Sequence, residues 1–144
     1  GASNRLELIR EDTNSSIYKD FAHSPSKLIA TIDAVKKQFK DRKLVACMEL
    51  HTFSSLNKRF LSQYVNSMNN ADQAIVYFSL EAIKHKRLDP ISKEDIKHAF
   101  KNEKLKVIND KEELINHLKD IYTKNTNLLM MSSGNFNKLN YNEI

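Results

Sequence analysis

Three short, almost uninterrupted apolar runs constrain the fold of this chain more than any other feature. They cover residues 43–50, 73–78 and 126–131, and segments with a helical spacing of apolar residues lie between them. A short continuous apolar run is typical of a strand that is covered on both faces. Strands that alternate with helices predict βαβ units with right-handed crossovers, and therefore a mostly parallel sheet with helices on both faces.

Two further strands are predicted before the first of these runs. Residues 5–9 partly alternate between polar and apolar side chains, residues 11–14 have turn chemistry, and residues 17–21 mix β-branched and aromatic side chains. The two strands are expected to pair as a hairpin at the edge of the sheet. With another short strand at 104–108, the sheet has about six strands. Alternation alone leaves several strand orders open.

Helices are predicted where a capping residue precedes an apolar stripe. Pro25 begins one behind Ser24, and Ser92 and Asp110 cap two others. Residues 79–90 lack a clear period and are predicted to form a loop with one helical turn at most. A further helix is expected after the strand at 43–50, with Ser54 or Ser55 as its cap. Its predicted buried side chains are Phe60, Leu61, Tyr64, Val65 and Met68.

Length and composition predict one soluble globular domain. The chain has 144 residues, of which 40% are apolar and 28% charged, and no apolar run approaches the length that a membrane span needs. Cys47 is the single cysteine and lies inside an apolar run, so it is expected to be a buried structural thiol. These features fit a cytoplasmic protein without a membrane partner. Residues 1–3 have the look of a cloning scar.

The formal net charge of +5 comes mostly from lysines that are scattered along the chain. A nucleic-acid partner is not expected, because nucleic-acid binding usually needs a more clustered basic surface. A modest positive field would instead help to capture anionic small molecules. No histidine pair has the spacing of a metal site on one helical face, and no G-x-S-x-G motif is present, so neither a metal site nor a serine hydrolase is predicted.

Glycine is scarce, and this limits how the chain could handle a nucleotide. Only Gly1 and Gly134 are present. Neither of the glycine-rich loops that cradle phosphates, G-x-x-x-x-G-K-S/T and G-x-G-x-x-G, can be built from this chain. If the protein uses a nucleotide, another domain must supply such a loop.

Polar side chains follow three of the predicted strands. In a parallel sheet these positions share the carboxyl edge, where ligands bind. Serines are common at such positions because they cap helices. Helix capping therefore explains the serines that follow these strands, but it explains the histidines, the aspartate and the asparagine there less well. Lys19 flanks the first cluster and could neutralise a phosphate. The three clusters are Asp20 and His23; His51, Thr52, Ser54 and Ser55; and Ser132, Ser133 and Asn135.

The same three clusters resemble motifs of one family. The string DFAHSP at 20–25 is similar to D-Y/F-A/G-H-x-P, and HTFSS at 51–55 is similar to P-H-T/R-F/Y-S/T-R, of the C-terminal (glutamate ligase) domain of the Mur ligases. The segment MMSSGNF at 130–136 is similar to M-G-A-G-D/N-I of the UDP-N-acetylmuramate–alanine ligase branch and to M-S-N-G-G-F of the murein peptide ligase branch. The chain therefore resembles this domain over essentially its whole length.

The resemblance implies a Rossmann-like α/β/α domain over residues 4–144 that is the third domain of a larger enzyme. In the family, ATP phosphorylates a carboxylate of a UDP-linked substrate, and an incoming amine attacks the acyl phosphate to give an amide. The central domain carries the phosphate loop and the magnesium ligands, so ATP and Mg²⁺ would be bound mainly outside this chain. The C-terminal domain closes over the site, and this fragment alone would be inactive.

The resemblance also assigns roles to residues. Asp20 would contact the ATP ribose, with Lys19 beside it, and His23 would lie near the phosphates or the acyl centre as the catalytic group. His51, Thr52, Ser54 and Ser55 would line the pocket for the incoming amine. Ser132, Ser133 and Asn135 would contact the carboxylate or backbone of that amine substrate.

Two departures bear on the substrate. The arginine of the alanine-adding branch pattern is replaced by Ser55, and an arginine of the peptide-adding branch is replaced by His51. Arg59 or Lys58 could take the place of the missing arginine. Glu49 and the SGNF ending favour the branch that joins L-Ala-γ-D-Glu-meso-diaminopimelate to UDP-N-acetylmuramate. The alternatives are an L-alanine-adding ligase and a stand-alone α/β binding module.

Overall fold

The computed structural model describes residues 6–144. The expected cloning scar at residues 1–3 lies outside the described residues, as does the first residue of the predicted strand at 5–9. Among residues 6–144, no helix combines the length and the apolar character needed to cross a membrane.

Residues 6–144 form six strands and four α-helices, of which the first two strands are a hairpin. The predicted strands at 43–50, 73–78 and 126–131 are confirmed residue for residue. Two short 3₁₀ turns occur at Leu61–Tyr64 and Tyr141–Glu143. In chain order the elements are β1 (Glu7–Asp12), β2 (Ser15–Asp20), α1 (Pro25–Gln38), β3 (Lys43–Leu50), β4 (Gln73–Phe78), α2 (Leu80–His85), α3 (Lys93–Phe100), β5 (Lys106–Ile108), α4 (Lys111–Ile121) and β6 (Thr126–Met131).

The strands form one sheet in the order β1-β2-β6-β3-β4-β5. Only β1 is antiparallel to its neighbour, and it forms the predicted hairpin with β2 at the edge of the sheet. The last strand, β6, lies between β2 and β3 and is parallel to both, so that Leu128 is paired with Ile17 on one side and with Val45 on the other. The predicted six-stranded, mostly parallel α/β fold is confirmed.

Each face of the sheet packs against its own layer of apolar side chains. Neighbouring residues of a strand point to opposite faces, and β3 shows this directly: Ala46 and Met48 join one cluster, whereas Val45 and Cys47 join the other. The first cluster includes the buried stripes of α1 and α3, and the second includes that of α4. Cys47 is fully buried, as predicted, and burial raises the pKa of its thiol well above the usual value.

The prediction of a helix after Ser54 or Ser55 is wrong. The segment is a series of turns with one 3₁₀ turn at Leu61–Tyr64, and Val65 is exposed rather than buried. Ser55 is unavailable as a cap because its hydroxyl is bonded to Thr52. Asn66 has a left-handed backbone, with φ of 60°, and its N–H donates to the Phe100 carbonyl instead of continuing a helix.

Residues 79–90 hold more helix than predicted. The Ser79 hydroxyl accepts a hydrogen bond from the Ala82 N–H and starts α2, which buries Ile83. The predicted start of α3 is confirmed, because Ser92 and Asp95 form a reciprocal capping box.

Candidate functional site

The carboxyl ends of β2, β6 and β3 lie side by side at one edge of the sheet. The structure therefore brings the three polar clusters together at one edge, as the sequence predicted. The first contact between clusters is direct, because the Ser132 N–H donates a 3.1 Å hydrogen bond to the Asp20 carbonyl.

The segment after β2 presents a carboxylate and an imidazole. Asp20 Oδ1 accepts a 2.8 Å hydrogen bond from the Ala22 N–H, and no described residue binds Oδ2. His23 Nδ1 lies 2.9 Å from the Phe21 carbonyl oxygen. A carbonyl oxygen can only accept, so Nδ1 carries the hydrogen and Nε2 is left for a ligand. The His23 carbonyl in turn accepts a 2.7 Å hydrogen bond from the hydroxyl of the buried Tyr64, which connects this turn to the segment after β3.

The start of α1 completes this part of the edge. Ser24 is the N-cap residue and Pro25 the first helical residue, as predicted, but the Ser24 side chain makes no capping hydrogen bond. The N–H groups of Ser26 and Lys27 therefore have no acceptor among the described residues. Free amides at a helix N-terminus attract anions.

A buried carboxylate joins the other two clusters. Glu49 is only 3% exposed, although it lies in the strand β3. Its Oε1 accepts hydrogen bonds from the Ser132 hydroxyl at 2.7 Å and from the Phe136 N–H at 2.9 Å. Its Oε2 lies 3.9 Å from Nδ1 of His51. This structural role of Glu49 was not predicted from the sequence, in which its signal is a lone acidic residue within an apolar run.

The loop after β6 holds an unusual backbone. The Ser132 hydroxyl accepts a hydrogen bond from the Gly134 N–H, and the Asn135 side chain accepts one from the Lys138 N–H. Three successive residues, Phe136 to Lys138, have φ values of 53°, 57° and 61°. Residues other than glycine rarely adopt this left-handed conformation, and then mostly singly. The hydrogen bond from Phe136 to Glu49 is one of the contacts that hold this conformation.

His51 rests on Gly134. A Cβ atom at position 134 would lie 2.8 Å from His51 Cδ2 and 2.9 Å from Nε2, so no other residue fits beneath the ring in its present position. The neighbouring Thr52 and Ser55 side chains bond to each other and to each other's backbone. Their hydroxyls thus shape the turn after β3, and Ser55 is buried.

Two cavities flank the Asp20 segment. One, of about 400 Å³, is lined by the ends of β2 and β6 and includes Lys19, Ser132 and Asn135. The other, of about 760 Å³, lies along α1 and includes His23 and Ala34. Asp20 and Phe21 line both cavities, so the first polar cluster stands between them.

Comparison with known proteins identifies the family. Residues 4–134 match the family described as "Mur ligase, glutamate ligase domain". The chain belongs to the Mur ligase glutamate ligase domain family.

Similar proteins are UDP-N-acetylmuramate–L-alanine ligases and a murein peptide ligase. The UDP-N-acetylmuramate–L-alanine ligase of Caldicellulosiruptor bescii is 40% identical over 76 residues, which are 53% of this chain and 16% of that protein. That of Persephonella marina is 26% identical over 140 residues, covering 95% of this chain and 30% of that protein. The crystal structure of a murein peptide ligase from Psychrobacter arcticus superposes with a TM-score of 0.73 at 24% identity, covering 94% of this chain and 28% of that chain. The chain thus spans less than a third of these proteins.

In this Mur ligase domain, the residues singled out from the sequence are not equally close to the shared edge. Ser54 is exposed on the turn after β3, and Arg59 lines a separate depression with Leu88 and Asp89. Lys19 is exposed and lies 3.7 Å from the Glu7 carboxylate. The Ser133 hydroxyl oxygen is buried without a hydrogen-bond partner among the described residues.

The described residues of this Mur ligase domain form no group of three or more histidine, cysteine, aspartate or glutamate side chains that could hold a metal ion. We therefore assign no magnesium ligand to them. The free amides of α1 and the unbound Asp20 oxygen do fit a nucleotide, because phosphates need donors and a ribose hydroxyl needs an acceptor.

Proposed function

We propose that this chain is the C-terminal, ATP- and substrate-closing domain of an ATP-dependent amide ligase of peptidoglycan synthesis or recycling. In the proposed reaction the carboxylate of UDP-N-acetylmuramate takes the terminal phosphoryl group of ATP and releases ADP. The amine nitrogen then forms a bond with the acyl carbon, loses a proton and displaces phosphate. The observation that carries the proposal is the site edge, where an anion-binding helix start and a free carboxylate oxygen adjoin the loops after β3 and β6.

The first cluster is proposed to face the nucleotide. Asp20 Oδ2 would accept a hydrogen bond from a ribose hydroxyl, while Oδ1 keeps the turn in place through Ala22. His23 Nε2 would approach the phosphates or the acyl centre, and it can donate to an anion only when the ring is doubly protonated, because Nδ1 already carries a hydrogen. A donor held there would stabilise charge as it develops. Lys19 would add a positive charge beside the cavity at the ends of β2 and β6.

The loops after β3 and β6 are proposed to face the incoming amine. The structure gives Ser132 a structural hydrogen bond to Glu49, so its hydroxyl would act mainly by shaping the loop. Asn135 is exposed and lines the cavity of about 400 Å³, where it could contact a polar substrate group. Ser133 and His51 would complete that surface, whereas Arg59 would reach it only if the substrate extended across the turn after β3.

Upstream domains of the same protein are proposed to cover this edge. Three large apolar side chains are exposed on the segments that follow β2, β3 and β4: Phe21 is 43% exposed, Phe53 63% and Leu80 51%. A ligase that forms a hydrolysable acyl phosphate must exclude water while the amine attacks. In this proposal the upstream part supplies the phosphate loop and the magnesium ligands, residues 4–144 form the third domain, and the enzyme works in the cytoplasm.

The decisive experiment measures phosphate release by the full-length protein with ATP, Mg²⁺ and UDP-N-acetylmuramate. L-Ala-γ-D-Glu-meso-diaminopimelate and L-alanine are supplied in separate reactions. The tripeptide is expected to be the better substrate, because Glu49 and the SGNF ending follow the pattern of that branch. L-Alanine is the second candidate, since the similar proteins named above include two L-alanine ligases.

Two controls make this experiment informative. The 144-residue chain without the rest of the protein should release no phosphate, and omission of UDP-N-acetylmuramate from the full-length reaction should abolish amine-dependent release. A full-length protein that is silent with both amines would contradict the proposal and would favour a stand-alone binding module.

A further inference from the structure

We infer that Tyr64 is a positioning residue for the nucleotide, because its hydroxyl holds the His23–Ser24 peptide in the orientation that presents a backbone N–H to an anion. Tyr64 belongs to the segment after β3, is buried, and would act through the turn at 20–24. The identity of the ligand rests on the proposed function, in which this turn faces ATP. The contact between Tyr64 and the turn rests only on residues of this chain.

The Tyr64 ring has a fixed position in the core. It is 1% exposed, stacks on the Phe100 ring with 5.1 Å between the centroids, and meets the Phe60 ring edge-on at 5.7 Å. The main chain of this segment is also fixed, because the Asn66 N–H donates a 2.9 Å hydrogen bond to the Phe100 carbonyl at the end of α3. A side chain that packing holds on several sides can set the position of the group that it binds.

Tyr64 connects the turn at 20–24 to the rest of the molecule. Among residues 6–144, its hydroxyl is the only hydrogen-bond partner of residues 21–24 that lies outside 20–28, and the 2.7 Å bond ends at the His23 carbonyl. These local bonds fix the shape of the turn, whereas Tyr64 and the buried Ala22 side chain fix its position relative to the core. The local bonds join the Ala22 N–H to the Asp20 carboxylate, the His23 ring to the Phe21 carbonyl, and the Leu28 N–H to the Ser24 carbonyl.

The bond from Tyr64 also orients a free donor. A peptide unit is planar and trans, so its N–H points away from its carbonyl oxygen. Because the His23 carbonyl is directed at the buried hydroxyl, the Ser24 N–H points away from Tyr64, and it has no acceptor among the described residues. A hydrogen bond at the carbonyl polarises the peptide and makes its N–H a stronger donor. Ser24 thus adds one oriented amide to the free amides at the start of α1.

The first test needs no nucleotide. Tyr64→Phe keeps the ring and its stacking but removes the donor. In the isotope-labelled 144-residue chain, the resonances of the His23 carbonyl carbon and the Ser24 amide are expected to move, and the turn should become more mobile by backbone relaxation. Tyr122→Phe is the matched control, because its hydroxyl donates a 2.8 Å hydrogen bond to Asp12, near the opposite end of β2. It should leave the His23 and Ser24 resonances in place.

The second test uses the full-length protein. Tyr64→Phe is expected to raise the Kd for ADP and the KM for ATP about threefold to tenfold, the range that one positioned hydrogen bond supports. The KM for the amine should change less than twofold, and Tyr122→Phe should leave all three constants unaltered. A merely structural role of Tyr64 would instead lower the stability and leave the affinity for ADP unchanged, when both proteins are measured well below their unfolding transitions.

Unaltered ADP affinity in the Tyr64→Phe enzyme, or unaltered His23 and Ser24 resonances in the variant chain, would overturn the inference. A wild-type full-length protein that binds no ADP would refute the proposed function and with it the role of Tyr64 towards a nucleotide. The resonances of the variant chain would then still decide whether Tyr64 holds the turn.

Discussion

The His51 imidazole lies so close to the backbone of Gly134 that a methyl group at position 134 would come within 2.8 Å of Cδ2. Gly134 has a negative φ, so the glycine is needed for close approach and not for an unusual backbone. The loops after β3 and β6 therefore touch at two levels, through the Glu49 carboxylate in the interior and through His51 and Gly134 at the surface.

Gly134→Ala is predicted to displace His51 with only a small loss of stability. The ring is half exposed and can swing outward, so we expect unfolding to cost about 0.5–1 kcal/mol less. Amine binding by the full-length enzyme should weaken at least as much as in H51A, whereas nucleotide binding should be unchanged. Urea unfolding and separate titrations of KM for the amine and for ATP check this. A variant with unaltered amine KM would show that the position of His51 is unimportant for that substrate.

Alanine substitutions of Ser132 and Ser133, which are neighbours in the loop after β6, are predicted to have different effects on stability. Ser132→Ala removes the donor to Glu49 and the acceptor for the Gly134 N–H, and should cost about 2 kcal/mol of unfolding free energy. Ser133→Ala removes a buried hydroxyl oxygen that has no partner among the described residues, so the free chain should be unchanged or up to about 1 kcal/mol more stable. Chemical denaturation of both variants provides the comparison, and a costly S133A would reveal a hidden partner such as an ordered water.

Substitutions of Asp20 are predicted to weaken nucleotide binding more than they lower the stability of the domain. Asn at this position can still accept from the Ala22 N–H, so D20N should be as stable as the wild type, whereas D20A should lose about 1 kcal/mol. Both variants replace the unbound carboxylate oxygen and should weaken ADP binding by the full-length protein about tenfold or more. Calorimetric titration with ADP is the measurement. Wild-type affinity in D20N would exclude the proposed contact with the ribose.

Tyr64 is predicted to make the domain sensitive to alkali. Burial raises the pKa of its hydroxyl from the usual value of 10.0 to about 12. The unfolded chain therefore loses this proton first, and the stability from this group, complete below pH 10, falls by on the order of 2 kcal/mol as the pH rises towards 12. Tyr64→Phe should cost about 1 kcal/mol at pH 8, because the hydrogen bond to the His23 carbonyl is lost. In urea titrations the advantage of the wild type should disappear between pH 10 and 12, and Tyr64→Phe should be the more stable protein near pH 12. A constant difference would argue against a buried phenol.

Cys47 is predicted to react only after the domain opens. The thiol is fully buried and its pKa is raised, so a disulfide reagent should label the folded chain slowly and the chain in guanidinium immediately. Because this is the only cysteine, one absorbance trace reports the reaction. Labelling of the native chain within the mixing time would contradict the position of β3 in the interior.

The sequence was sufficient for features that depend on local pattern. The apolar run of β3 predicted a strand buried on both faces, and the polar residues after β2, β3 and β6 predicted a shared edge. The segment after β3 was wrongly predicted to be a helix, because its apolar residues have helical spacing. Leu61, Tyr64 and Met68 are indeed buried, but they reach the core from turns that are held by Thr52, Ser55 and Asn66.

Features that depend on distant contacts were not predictable in the same way. Glu49 and Ser132 are 83 residues apart in sequence, and no local signal shows that one carboxylate will bind the loop after β6. The left-handed backbone at Phe136–Lys138 is equally hidden, because phenylalanine and lysine disfavour that conformation. Both features are fixed by the folded structure and both lie at the candidate site.

The position of β6 has a consequence for synthesis. Ser15 and Thr126 are hydrogen-bonded although they are 111 residues apart, because β6, which is synthesised after the other five strands of the described sheet, lies between β2 and β3. At typical rates of translation, β2 waits on the order of ten seconds for its partner. Throughout that interval the nascent chain carries two unpaired strand edges, those of β2 and β3, and any stall before residue 126 leaves a product that cannot complete its sheet.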